Sequence, residues 1–300
     1  MKTPPDSFDT TPLATNRRGI VVMVLSVLGF TINTILLRYL SGEERGIPPE
    51  VPLLFRAVVG IAIVLLAFRG RRPTRVVPVF REPLLILRGI IGLLGTATYY
   101  WTVPKLGAGM ATLICNTYVI FASVIAVLAL GEKLTRARFL WLVAAFVGII
   151  LLVGPNANVE QFQLGFYEIV AIVGAVLAAW AVVLIRRLVA DHSIGTIYLA
   201  QCVWITLPIV FLAGPEIPGL GAIDILLLTV AACAAGFGQL AMNEGYRCLP
   251  VSTGASIQMA WPVACTFAGW QLFGETLIPL QIVGAVLILA SIWRMSVSPR

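Results

Sequence analysis

Apolar runs of about 20 residues, each long enough to cross the hydrocarbon core of a bilayer, follow one another along most of this 300-residue chain, separated by short polar stretches. They predict ten transmembrane helices over 19–40, 49–68, 83–103, 107–130, 136–153, 164–187, 194–213, 222–243, 250–272 and 278–294. Residues 1–16 are polar and proline-rich and lack the basic-then-apolar order of a cleaved signal peptide, so they read as a disordered tail.

The ten runs fall into two sets of five. Shifting the chain by 143 positions lays Gly131-Glu132 on Gly274-Glu275, Leu106 on Leu249, Ala111 on Gly254, Tyr118 on Trp261 and Gly95 on Gly238. The first helices also correspond, Leu36-Leu37-Arg38-Tyr39-Leu40 against Leu184-Ile185-Arg186-Arg187-Leu188, at an offset of 148, so the second or third span or its loops absorb the difference. The repeats cover 17–153 and 164–295. An odd number of spans per copy makes the second copy enter the bilayer from the other side. The copies are therefore inverted about a pseudo-two-fold axis in the membrane plane, an arrangement that places a transported solute between the halves.

Composition fits lipid as the solvent. Charged residues make up 12% of the chain and hydrophobic ones 59%, against about 25% charged in soluble domains. The net charge of +7 does not indicate nucleic acid, because the basic residues sit in short loops. Alternate loops carry Lys2, Arg17 and Arg18; Arg69, Arg71, Arg72, Arg75 and Arg81; Lys133, Arg136 and Arg138; Arg186 and Arg187; Arg247; and Arg294 and Arg300, while the opposite set holds only Arg45 and Lys105. By the positive-inside rule both termini face the cytoplasm of an inner, multi-pass membrane protein. The five cysteines lie in or at the ends of the predicted helices, which argues against a disulfide framework or a metal site.

No catalytic constellation is visible. The one histidine, His192, sits in a loop, and there is no phosphate-binding glycine loop or metal-ligand spacing, so no cofactor is expected. What remains are polar groups at membrane depth, each costly unless it faces protein or a watery cavity. In the fourth and ninth spans these are Asn116 beside Tyr118 and Gln258 before Trp261. Pro262 has no amide hydrogen for the carbonyl of Gln258, which predicts a kink there, and Pro208 stands in the same relation to Trp204, with Gln201 one turn earlier. Asn116 and Gln258 either line a site or bond neighbouring helices; the seventh span is a hinge, a site wall or a packing element. Gln239 and Asn243 share a face of the eighth span. Tyr99 reaches inward near the end of the third, and Trp101 reads as an interfacial anchor.

Arg56 and Glu168 lie at similar depth from the same membrane face, so an ion pair between them would serve as a latch or as a gate coupled to a proton or a charged substrate. Arg38 and Arg88, near helix ends, are expected to snorkel to the headgroups. Glu132 and Glu275 read as helix-end hydrogen-bonding groups. Small residues such as Gly89, Gly92 and Gly95, or Gly174 and Ala175, permit close helix packing and also sliding.

Glu50 through Phe55-Arg56 in the second span, Leu87-Arg88-Gly89 opening the third, and a span of small and polar residues closed by Gly-Glu, given twice, resemble the EamA-type branch of the drug/metabolite transporter (DMT) superfamily over about residues 17–295. That resemblance implies ten helices in two inverted five-helix repeats around a central cavity, and transport of small organic metabolites such as amino acids, nucleotide-related compounds, vitamins or amines. The Leu-Arg-Gly start and the basic loop before it are similar to members that take up S-adenosylmethionine or riboflavin.

The reading is therefore an all-α secondary transporter, not an enzyme. It moves a small polar or amphiphilic metabolite (an amino acid, a nucleoside-like compound or a vitamin) by alternating access, as a monomer in the lipid bilayer. Asn116, Tyr118, Gln258, Trp261, Tyr99, Gln239, Trp204 and Gln201 are the substrate-binding candidates, Arg56 and Glu168 the gating or coupling pair, and Pro262 and Pro208 the hinges. The alternative is a membrane-embedded enzyme or an assembly or signalling subunit. Substrate, direction and coupling ion stay open at this level.

Overall fold

Backbone amides in lipid find no water, so a chain of this composition satisfies them within helices. The computed structural model describes residues 13–42, 45–68, 75–132, 135–154, 165–273 and 277–297, and among these every regular element is helical. The helices are α1 (Leu13–Leu40), α2 (Glu50–Ala67), α3 (Val77–Arg81), α4 (Pro83–Asn116), α5 (Tyr118–Leu130), α6 (Arg136–Val153), α7 (Phe166–Leu188), α8 (Ile194–Ala213), α9 (Ala222–Cys248), α10 (Val251–Gln258), α11 (Ala260–Phe273) and α12 (Pro279–Val297).

Among the described residues eight segments are long and apolar enough to span a bilayer: Arg17–Leu40, Glu50–Ala67, Pro83–Thr102, Ala111–Leu130, Arg136–Val153, Phe166–Leu188, Ile194–Gly219 and Ala222–Cys248. Pro279–Met295 is a shorter apolar helix. The expected ninth span is interrupted at Met259, between α10 and α11.

Four boundaries differ from the sequence expectation. α1 begins at Leu13 rather than 19, so the last residues assigned to the tail are helical; residues 1–12 lie outside the described set. Arg18 is held within this extension by Glu244 at 2.8 Å. α9 runs on past 243 to Cys248, where Arg247 also meets Glu244 at 2.6 Å. The short α3 was not anticipated; proline at its second position pre-sets the helical φ.

The largest difference is in α4, whose helical backbone continues through the turn expected at 103–107. Its 34 residues would reach about 51 Å if straight, well beyond a hydrocarbon core of about 30 Å. The chain instead folds back on itself. The Tyr99 hydroxyl lies 3.3 Å from Thr112 Oγ1, whereas residues thirteen apart in a straight helix would be about 20 Å apart along the axis.

Helix packing shows the duplication. The most extensive interfaces are α1 with α9, α4 with α7, α6 with α12 and α2 with α8. Exchanging the halves turns α1–α9 into α7–α4, turns α2–α9 into α8–α4, and maps α2–α8 and α6–α12 onto themselves, so the interfaces obey a pseudo-two-fold relation. Glycines set the two main crossings. A Cβ on Gly29 would lie 2.8 Å from the Ala234 carbonyl and 3.0 Å from the Gly238 Cα, and one on Gly174 would lie 2.3 Å from Thr98 Oγ1 beside Gly95. Helices in lipid gain mainly dispersion contact from meeting, and such backbone approach maximises it.

Candidate functional site

The polar centre of the bundle is built by two interrupted helices. α4 ends at Asn116 and α5 starts at Tyr118, while α10 ends at Gln258 and α11 starts at Ala260, so the breaks fall within one residue of repeat-equivalent positions. Their causes differ. In the second half Pro262 cannot donate to the Gln258 carbonyl, and the Met259 amide turns back to Ser256 O at 3.1 Å. The first half has Val119 at the matching place. There Thr117 Oγ1 donates to Ile114 O at 2.6 Å and Asn116 Nδ2 to Thr112 O at 2.8 Å, side chains competing with the helix for its own carbonyls.

These breaks bring four of the candidate residues to one region. Gln258 Nε2 donates to Ser26 Oγ of α1 at 2.9 Å and contacts Met23 Sδ at 3.5 Å, which leaves its amide oxygen free to accept. The Tyr99 and Trp261 rings meet with centroids 6.0 Å apart. Asn116 Oδ1 and Trp261 Nε1 are buried without a hydrogen-bond partner. A cleft between α4, its returning limb and α7 opens beside them, walled by Gly95, Tyr99, Thr102, Cys115 and Gly174. Tyr118, at the start of α5, is half-buried against the main core.

Gln239 and Gln201 belong to a second polar region, between α2, α4, α8 and α9. Arg56 Nη2 donates to Gln239 Oε1 at 3.2 Å, Gln239 Nε2 to Asn243 Oδ1 at 3.2 Å, and Arg88 Nη2 to Gln201 Oε1 at 2.8 Å. Trp204 joins neither region, since it packs on Gly89 and donates to Val79 O of α3 at 3.4 Å.

Three expectations are corrected here. Arg56 does not pair with Glu168: it turns inward to Gln239 and the Phe30 ring, 5.6 Å from its centroid, while the Glu168 carboxylate lies back over Gly165 at the start of its own helix. Arg88 does not snorkel, being 1% exposed. α8 is unbroken through Pro208, whose side faces outward, so Pro208 opens no hinge comparable to the break at Met259. Sequence reasoning also missed Ser26. Its one signal was a small hydroxyl residue within an apolar first span.

The bundle is clasped at both ends. Gly131 has φ +67°, a left-handed turn that stops α5 and swings Glu132 across to the other half. Both Glu132 carboxylate oxygens accept from the Val251 amide at 2.9 and 3.0 Å, capping the start of α10, with Arg186 Nε 3.9 Å away. Gly274-Glu275 falls outside the described residues. At the opposite end Arg45 bonds Asp224, which holds the α1–α2 connection to the start of α9.

Burial is the largest influence on the Glu132 carboxyl and raises its pKa, against the Val251 amide and Arg186, which favour the anion. A carboxyl with a folded pKa above its unfolded one binds its proton more tightly when folded. Its contribution to stability is therefore fully present below the unfolded pKa and is lost as pH rises through the raised folded value. The thermal midpoint should fall across that window in the wild type, and fall less in Glu132→Gln, which does not titrate. Identical pH profiles for the two proteins would show that another group is responsible.

The EamA-like transporter family's sequence profile matches residues 17–154 and 165–297, nearly the whole chain and once per half. The chain belongs to the EamA-like transporter family. Within this family it is similar to the protein named "Pseudopaline exporter CntI" of Pseudomonas aeruginosa (strain UCBPP-PA14), 25% identical with 93% of this chain and 96% of that one covered. It is also similar to the "Probable amino-acid metabolite efflux pump" of Salmonella typhimurium, 25% identical over 81% of this chain and 84% of that one. A solved crystal structure shares the EamA-like fold at a TM-score of 0.75 and 16% identity, covering 93% of this chain and 96% of that chain. This EamA-like chain is thus a polytopic membrane protein of a transporter family whose relatives carry metabolite-exporter names.

Proposed function

We propose that this protein is a secondary exporter of a small metabolite bearing amino-acid-like groups, working by alternating access between its inverted halves in the inner membrane. Ten crossings with both termini cytoplasmic, α10 and α11 together making the ninth, fit the charge distribution of the loops. The observation that carries the reading is the meeting of two interrupted helices, one from each half, around Asn116, Tyr99, Gln258 and Trp261. Broken helices at membrane depth expose backbone and amide groups that are tolerated only where protein or a solute satisfies them. An aromatic pair beside free amide groups suits a solute with an apolar part and hydrogen-bonding groups. The outward direction follows the names of the two relatives.

The test is counterflow into proteoliposomes holding the purified protein, with labelled amino acids, nucleosides, riboflavin and S-adenosylmethionine offered in turn. Accumulation of at least one amino-acid-like compound above protein-free liposomes is expected. Repeating the measurement with an imposed pH gradient, with and without a proton ionophore, reads out proton coupling. Exchange of no compound would overturn the transporter assignment. Exchange confined to nucleosides or vitamins would overturn the substrate class alone.

A further inference from the structure

Nine buried side-chain polar atoms among the described residues lack a hydrogen-bond partner, and five of them occur together: Arg56 Nε, Arg88 Nε and Nη1, and the Tyr100 and Tyr198 hydroxyls. Every one can donate, and the two hydroxyls can also accept, Tyr100 beside Arg56 and Tyr198 beside the Cys202 thiol. Both arginines lie close to Cys202, and Tyr100 and Tyr198 lie close to Arg56. Arg56 is 9% exposed and Arg88 1%. Among the described residues neither has a carboxylate within ion-pair distance, and their hydrogen bonds go to the neutral amides of Gln239 and Gln201.

Two buried guanidinium groups with unpaired N–H groups and no counter-charge among the described residues are costly unless an anion joins them. Packing does not demand Arg88. By the offset that aligns Gly95 with Gly238, Arg88 falls on Ala231, so the equivalent helix of the other half forms its interfaces with a methyl group there. Glycines make room for these side chains: a Cβ on Gly60 of α2 would lie 2.6 Å from the Tyr198 hydroxyl, and one on Gly92, one turn beyond Arg88 on α4, would lie 2.3 Å from Arg88 Nη1.

We infer that Arg56 and Arg88, with Tyr100 and Tyr198, form the receptor for a carboxylate of the transported metabolite. This rests on the transporter reading above and adds to it the chemical group that is recognised. A guanidinium fork matches a carboxylate through two parallel hydrogen bonds, and the two oxygens offer enough lone pairs to engage the phenolic hydroxyls as well. The receptor draws α2 and α4 from one half and α8 from the other, so binding the anion ties the halves together. Gln239 and Gln201 hold the guanidinium groups in place while the site is empty of substrate.

The experiment compares acids with their amides on the full-length protein in detergent. L-aspartate, L-histidine, L-phenylalanine and succinate are each tested, the amino acids beside their α-carboxamides and succinate beside succinamide. At least one acid should raise the thermal midpoint by about 2–4 °C, a shift that its amide does not reproduce. Arg88→Gln and Arg56→Gln should remove the shift, and Arg88→Lys, which keeps the charge but loses the fork, should retain part of it. Equal stabilisation by acid and amide, no stabilisation by any acid, or a shift that survives both Gln variants would overturn the proposal. The wild-type comparison of acid with amide stands even where a variant fails to fold. Counterflow separates this failure from that of the transporter reading: amides exchanged as fast as acids would remove the carboxylate receptor and leave the transporter standing.

Discussion

Gly284→Ala should be among the most destabilising single-methyl changes available in this protein, costing about 1–3 kcal/mol. A Cβ there would lie 2.6 Å from the Gly148 carbonyl oxygen and 2.7 Å from the Leu152 amide nitrogen, both backbone atoms of α6. No rotamer can relieve such a contact, so α12 and α6 must separate along their shared length. In lipid nothing but packing and hydrogen bonds holds them together, and the added gap also strains the bond from Gln281 Nε2 to the Leu152 carbonyl, 3.0 Å long. Gly148→Ala should cost somewhat less, because it meets one backbone atom under 3.0 Å, the Gly284 carbonyl oxygen at 2.9 Å, where Gly284→Ala meets two, and its nearest obstacle, Ile288 Cγ1 at 2.8 Å, belongs to a side chain. The double variant should cost less than the sum, the helices having been parted once already. Gly219→Ala, with nothing within 4 Å, is the neutral control. Thermal unfolding in detergent reads all four; a Gly284→Ala midpoint equal to that of Gly219→Ala would refute the account. Transport per folded molecule should be unchanged, because the α6–α12 pair contributes no residue to the polar centre.

The parts of this fold that were legible in the sequence are those fixed by a local rule. The repeat of Gly-Glu exposed the duplication before any contact was known, and Gly131 takes the left-handed conformation that glycine allows at a helix stop. The break at Met259 follows from a missing amide hydrogen at Pro262, a property of one residue. The matching break at Thr117 was not anticipated, because it depends on hydroxyl and amide side chains choosing backbone carbonyls over other partners. The same is true of α4, where a hairpin was expected but not a helical backbone carried through it.

Charges were placed less well, for a geometric reason. Depth along a helix can be counted from its ends, but the direction of a long side chain cannot. Helical side chains tilt toward the N-terminus by default, which for Arg88 points to the membrane surface. Its guanidinium instead reaches one turn the other way, with Nη1 in the space left by Gly92 and Nη2 donating to Gln201 Oε1. Arg56 and Glu168 match in depth yet face different neighbours, Gln239 for one and the start of its own helix for the other. Glycine four residues beyond a membrane arginine is therefore the sequence signal that would have identified the inward-turned side chain.

Gln258→Ala should lower transport by about tenfold, the value of one hydrogen bond to a solute taken out of water, while leaving the folded protein at normal yield. Gln258 ends α10 at the break, and its one strong bond, to Ser26, ties α10 to α1. Removing the amide deletes both the free oxygen and that tie. Two variants separate the roles. Ser26→Ala removes the tie and keeps the amide, so it should change transport far less if solute contact is what matters. Gln258→Glu keeps an acceptor and introduces a charge at membrane depth, so it should fold poorly unless a cationic solute compensates. The α10 cap formed by Glu132 stays intact in all three, because it acts at the other end of that helix. Equal loss in Ser26→Ala and Gln258→Ala would assign the residue to helix positioning. Unchanged transport in Gln258→Ala would remove the interrupted-helix centre from the transport path and leave the arginine region between α2, α4 and α8 as the place where the solute binds.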